Sequence, residues 1–171
     1  MFVDQISVLI ENQTGRMAQL TAALAGKDVD IKGVCVTDTV DYGICRLIVS
    51  DTDAAITALT DGGFTASVTK VIAVELDDVP GGLNFVLTTL KDYGISLDYI
   101  YSINVIEGDK AGIIIKVGEP EAAAKVLAEA NIRTYDQKEL STYRGAKKNA
   151  VEGGKAPAGK LRDMLNDSDR L

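Results

Sequence analysis

The chain has 171 residues, 46% of them hydrophobic and 25% charged, with a net charge of -7 and no histidine or tryptophan. Its acidic balance argues against a nucleic-acid binder, which presents a basic surface to phosphate, and no apolar run approaches the roughly 18 residues of a membrane span. The missing histidine removes Ser-His-Asp hydrolysis, histidine general bases and histidine metal ligation together.

From Met1-Phe-Val-Asp-Gln-Ile6 the chain enters a strand directly, with no basic segment followed by an apolar stretch. A cytoplasmic protein is the expectation. The first strand covers about residues 2–11, alternating Val3, Ile6, Val8 and Ile10 with polar residues. Thr14 is the expected N-cap of a helix over about 16–25, whose Met17, Leu20 and Leu24 share one face, with Gly26 near its end. Strands at about 31–37 and 43–50 flank a polar turn at 38–41 and form a hairpin. Cys35 and Cys45 lie symmetrically about that turn, as small hydrophobes facing each other across the hairpin rather than as a redox pair. Asp51 caps a second helix over 54–61, Gly62-Gly63 stops it, and a fourth strand covers 64–68.

The same order then returns. Ile6-Ser-Val-Leu-Ile-Glu-Asn-Gln-Thr-Gly15 is matched 66 residues later by Ile72-Ala-Val-Glu-Leu-Asp-Asp-Val-Pro-Gly81, which marks a duplicated module. After a two-residue slip, Leu47, Val49 and Leu59 lie over Ile115, Val117 and Leu127. The second unit has a strand at about 71–76, a helix at 82–93, strands at 97–105 and 111–117, a helix at 121–130 and a strand at 132–135. The expected fold class is α+β: two ferredoxin-like βαββαβ units, at 1–69 and 70–143, pairing into a continuous antiparallel sheet with helices on one face. Each unit alone is too small to bury much apolar surface, so the two share a core.

Beyond Tyr143 the repeat ends. Residues 144–171 carry 7 Lys+Arg against 4 Asp+Glu, a net +3 that leaves -10 on residues 1–143. A Gly, Ala, Lys and Pro-rich linker is expected there, followed by a short amphipathic helix on Leu161, Met164 and Leu165. Gly154-Lys-Ala-Pro-Ala-Gly-Lys160 imitates a phosphate loop, but Leu161 stands where a metal-binding Ser or Thr is required. Asp77-Asp78 and Asp28/Asp30 fall short of the six or so oxygens a divalent ion needs. No metal or cofactor is expected.

What remains is the strand-end loop, Glu11-Asn-Gln-Thr-Gly-Arg16 and Asp77-Asp-Val-Pro-Gly-Gly82. A glycine at a helix mouth leaves backbone N–H groups free for a carboxylate, and acidic or amide side chains one turn back can take an ammonium. Two readings stay open: glycine and proline shape a tight turn, or the mouth holds a zwitterion.

The string Asp78-x-Pro80-Gly81-x-Leu83, its partner Asn12-x-Thr14-Gly15-x-Met17, the Gly94-Ile-Ser-Leu97 lead into a strand and the duplicated order together resemble the ACT domain family over about residues 1–140. The chain is similar to small stand-alone tandem-ACT proteins. That resemblance implies a non-catalytic sensor, with ligand at the junction of side-by-side units. Its ligand contacts fall on Asn12, Thr14, Gly15, Arg16 and Met17, on Asp78, Pro80, Gly81, Gly82 and Leu83, and on Asp30 and Ser96 at the starts of the second strands. Thr14 stands where the family usually has Pro, and Asp78 where an amide is common, so the two sites are expected to differ. The implied partners are a free amino acid and a regulated enzyme, and a homodimer is compatible. A protein-docking module with no small ligand is the alternative.

Overall fold

The computed structural model describes residues 2–38, 42–107 and 109–143. The linker at 144–159, the phosphate-loop imitation and the terminal helix expected at 160–171 lie outside the described residues, as does most of the turn at 38–41.

The elements run β1 (Val3–Glu11), α1 (Arg16–Ala25), β2 (Ile31–Asp38), β3 (Tyr42–Val49), α2 (Thr52–Asp61), β4 (Thr65–Asp77), α3 (Gly82–Asp92), β5 (Leu97–Glu107), β6 (Lys110–Val117), α4 (Pro120–Glu129), β7 (Thr134–Tyr135) and α5 (Gln137–Thr142). Local chemistry explains the helix ends. Asp51 accepts from the Ala54 N–H and starts α2 as expected. Thr14 does not cap α1: Gly15, left-handed at φ 90°, holds the N-cap, and no side chain bonds the first turn.

Two strands expected at 64–68 and 71–76 are one 13-residue strand, β4, with residues 69 and 70 in its interior. Thr69-Lys70 interrupts the apolar pattern but contains no Gly, Pro, Asn or Asp that would turn the chain. The first half of β4 pairs with β1, from Val3↔Val71 to Leu9↔Thr65, and the second half pairs with β6, from Ile72↔Ile115 to Asp77↔Lys110. The order is β2-β3-β1-β4-β6-β5, every pair antiparallel, with β7 also on β4. This is the continuous sheet of two ferredoxin-like units.

Side-chain alternation along β4 fixes where the helices go. Ala66 packs with α1 and α2 around Ile6, Val8, Leu20, Leu24, Leu47 and Leu59, while Ile72 and Val74 pack with α3 and α4 around Val86, Leu90, Ile115 and Leu127. All three β4 residues share one face, so α1–α4 cover the same side. The opposite face holds a third core built by both units: Val3, Ile48, Val71, Ala73, Ile103, Val105, Ile114, Tyr135 and Leu140.

That face, which α1–α4 leave bare, curls onto itself. β2 and β5 are the two ends of the strand path, yet a Cβ on Gly33 would lie 3.3 Å from Ile103 Cβ and 2.5 Å from its Cγ2, so only glycine admits the approach. Arg46, opposite Cys35 on β3, stacks 4.2 Å over the Tyr99 ring. Beside it Gln5, fully buried, donates through Nε2 to Tyr99 Oη at 2.7 Å and accepts at Oε1 from Tyr101 Oη at 2.9 Å. Burial pushes the Tyr101 hydroxyl far above the usual phenol range, which keeps it a donor. Gln5 thus has both tyrosine partners in the other unit, while Arg46 stacks across the junction and donates through Nη1 to Thr37 of its own unit at 2.8 Å.

The cysteines do not face each other. Cys45 pairs with Val36 and Cys35 with Arg46, so the two side chains point to opposite faces, and both are free thiols. Burial, then the neighbouring Cys35, pushes the Cys45 thiol up to about 11. At pH 8 roughly one Cys45 in a thousand is then thiolate, and native alkylation followed by mass spectrometry is expected to leave Cys45 unmodified until urea unfolds the chain.

The short α5 had no counterpart in the expected elements. Asp136 accepts from the Glu139 N–H while Glu139 accepts from the Asp136 N–H, a capping box. Leu140, 0% exposed, then plugs the core on the face that α1–α4 leave bare, and Gln137 accepts the Asp4 N–H of the first unit at 2.7 Å.

Candidate functional site

Both helix mouths have the same backbone. Gly15 and Gly81 are left-handed N-caps at φ 90° and 97°, and neither helix has a side-chain cap. The first N–H of each helix is used in its own loop, Arg16 donating to Gln13 O at 3.2 Å and Gly82 to Val79 O at 3.0 Å; the next N–H groups, of Met17 and Ala18 in α1 and of Leu83 and Asn84 in α3, lack intrahelical partners, and the helix dipole favours an anionic acceptor there.

The side chains around the two mouths differ. At the first, Asn12, Thr14 and Gly15 are exposed, and Met17 packs partly into the core. Arg16 folds back: its guanidinium stacks 4.3 Å over Phe64, its Nη1 donates to Gln19 Oε1 at 3.0 Å, and its Nε lies 3.3 Å from Glu11. The Nε contact is ionic only, because Nε is poorly aimed for a hydrogen bond. At the second mouth Asp78, Pro80, Gly81 and Leu83 are exposed, and the Asp78 N–H donates to Asp109 O at 2.8 Å. Gly82 is there by necessity, since a Cβ would fall 2.0 Å from the Asp77 carbonyl oxygen. Asp77 pairs with Lys110, and that hydrogen bond raises the Lys110 ammonium above its ordinary value. A cavity of about 180 Å³ opens beside this mouth, lined by Glu75, Asp77, Gly82, Phe85, Lys110 and Arg133 among others.

Asp30 and Ser96 do not join the mouths of their own units. Glu11 faces Tyr42 at one end of β3 and Ile31 faces Val49 at the other, so Asp30 sits about 24 Å, seven strand residues, from the first mouth. The second unit repeats this, with Asp77 at the Lys110 end of β6 and Leu97 at the Val117 end.

The curl of the sheet changes the pairing. Because Cys35 neighbours the Tyr99 region and Gly33 meets Ile103, β2 and β5 run antiparallel past each other. The start of β2 therefore lies toward the second unit's mouth, and the start of β5 toward the first unit's. A groove of about 440 Å³ follows this seam, lined by Ile31, Lys32, Gly33 and Val34 from one unit and Ser102, Ile103, Asn104, Ala111 and Gly112 from the other. Ala111 is one residue from Lys110 and pairs with Leu76, which brings the groove's far end next to the part of β4 that leads into the second mouth.

Sequence reasoning missed Lys32. It is buried, with its Nζ 2.6 Å from Asp30 Oδ2 and donating to the Tyr143 carbonyl at 2.5 Å. A lysine two residues after an aspartate carries no signal of burial by itself; only the tertiary approach of Tyr143 creates the site. Among the described residues no group of three or more His, Cys, Asp or Glu could hold a metal ion.

Residues 1–144 match the family described as ACT domain pair. The chain belongs to this family. This ACT pair is also similar to protein BT0572 from Bacteroides thetaiotaomicron, 31% identical over 84% of this chain and 98% of that one, with a TM-score of 0.78. The ligand-free regulatory subunit of aspartate kinase from Thermus thermophilus is 20% identical over 74% of this chain and 91% of that one, TM-score 0.54. The corresponding subunit from Thermus flavus is 18% identical over 75% and 92%, TM-score 0.51. These two share the fold. No curated protein matches the ACT pair. No described helix is long and apolar enough to cross a membrane.

Proposed function

We propose that this ACT pair is a non-catalytic regulatory protein of the cytoplasm that binds a free amino acid between its two units and passes occupancy to a partner enzyme. The observation that carries the reading is the left-handed glycine without a side-chain cap at each helix mouth. The carboxylate would lie on the N–H groups of Met17 and Ala18 in α1, or of Leu83 and Asn84 in α3. Its ammonium would meet Asp30 or Asp78 at the second mouth, and Asn12 or Ser96 at the first. Thr14, Arg16 and Met17 would complete the first site, and Pro80, Gly81, Gly82 and Leu83 the second. The aspartate kinase regulatory subunits among the similar structures suit a role in which the sensor has no chemistry of its own.

Calorimetry against each of the twenty amino acids tests this. Saturable heat with at least one is expected, and Asp78→Ala is expected to weaken it by about 1–3 kcal/mol, the scale of one charge-assisted hydrogen bond. Absence of heat with all twenty would overturn the reading and leave the docking module.

A further inference from the structure

Lys32 and Gln5 are the two buried polar or charged residues among those described. Gln5 is satisfied inside the junction. Lys32 instead joins two parts of the molecule with different exposure: Asp30, whose side chain is 69% exposed at the start of β2, and the Tyr143 carbonyl, which closes α5. Taking an ammonium out of water costs several kcal/mol unless a countercharge and hydrogen bonds replace the solvent. Asp30 is the one carboxylate in ion-pair range of Lys32 among the described residues. The hold on Tyr143 therefore depends on Asp30 being available.

We propose that Lys32 sets α5 docking against occupancy of the second amino-acid site. An ammonium ligand on Asp30 draws the carboxylate from Lys32, and the poorly neutralised lysine then moves toward water and lets α5 go. Linkage runs both ways: when α5 leaves, Lys32 is solvated, Asp30 is freed, and the ligand binds more tightly. This rests on the reading that Asp30 meets the ligand's ammonium group. Leu140 and Tyr143 on the core of this face, Gln137 on Asp4 and Arg133 on Glu139 still hold α5, so what is released is its C-terminal end.

Hydrogen exchange on the full chain, followed in the peptide spanning 137–143 from milliseconds to minutes, tests the proposal in two arms. Without ligand, Asp30→Asn is expected to speed exchange of α5 at least about 5-fold, the low end of typical coupling factors. Equal protection in the variant and the parent would overturn the clamp whether or not any amino acid binds. In the second arm, the amino acid found by calorimetry is expected to speed α5 exchange. Lys32→Gln is expected to bind it about 5-fold more tightly and to show no ligand-dependent change in α5. Binding with unchanged or slower α5 exchange would overturn the coupling and spare the functional reading. If none of the twenty binds, the functional reading and the coupling fall together, and the Asp30→Asn arm still decides the clamp.

Discussion

Expressed as residues 1–71, the first unit is expected to be unfolded or self-associated at micromolar concentration. Its helix-side core would be intact, with Ile6, Val8, Leu20, Leu24, Leu47 and Leu59 all present. The helix-free face is the difficulty. Val3, Ile48 and Val71, each 1% exposed or less, are buried there against Ala73, Ile103, Val105, Ile114, Tyr135 and Leu140 of the second unit. Uncovering three aliphatic side chains costs about 4.5–9 kcal/mol at 1.5–3 each, which is comparable to the whole stability of a typical domain, about 5–15 kcal/mol. Gln5 would also lose both tyrosine partners, and β4 would become an open edge. Circular dichroism and sedimentation decide the matter; a monomer with a cooperative thermal transition would show that the shared core is dispensable.

Gly82→Ala is expected to be the most damaging single substitution at either mouth. The new Cβ meets the Asp77 carbonyl oxygen at 2.0 Å and its carbon at 3.1 Å. Neither side can yield freely, because Asp77 is fixed in the β4–β6 ladder and the Gly82 N–H already donates to Val79 O. The backbone must shift, at a cost of about 2–3 kcal/mol, or a fall in Tm of roughly 4–12 °C for a chain of this size. Gly81→Ala provides the contrast. Nothing lies within 4 Å of its Cβ, so only the left-handed φ of 97° is penalised, by about 1–2 kcal/mol. If the two variants melt together, the carbonyl contact is not what selects glycine at 82.

Most of the architecture was legible in the sequence because the repeat aligned the same signals twice. Gly15 and Gly81 open their helices at equivalent positions, and the fold follows from placing them in register. Asp51 announced its helix by type and position. The continuity of β4 was hidden by Thr69-Lys70, a polar pair that looks like a break in hydrophobic alternation; the absence of any turn-forming residue there was the better guide. The capping box of α5 was written in Asp136-x-x-Glu139, but a six-residue helix has too short a period to stand out. The cysteine pairing failed by one residue, and in a strand one residue changes the face. At the candidate site the mouths were legible from their glycines. The approach of β2 to β5 was not, because it depends on Gly33 against Ile103, a contact 70 residues apart in the chain.

The shared strand also has a consequence for the order in which the protein comes into being. When β4 leaves the ribosome, the first unit has its helices but not the cover for its other face, which starts at Tyr99, 28 residues after Val71. At about 5–20 residues per second, synthesis of that stretch takes roughly 1.5–6 s. Throughout that interval Val3, Ile48 and Val71 wait uncovered on a nascent chain, far longer than the microseconds in which a small chain collapses. Vectorial synthesis thus makes the first unit a client of its own second half.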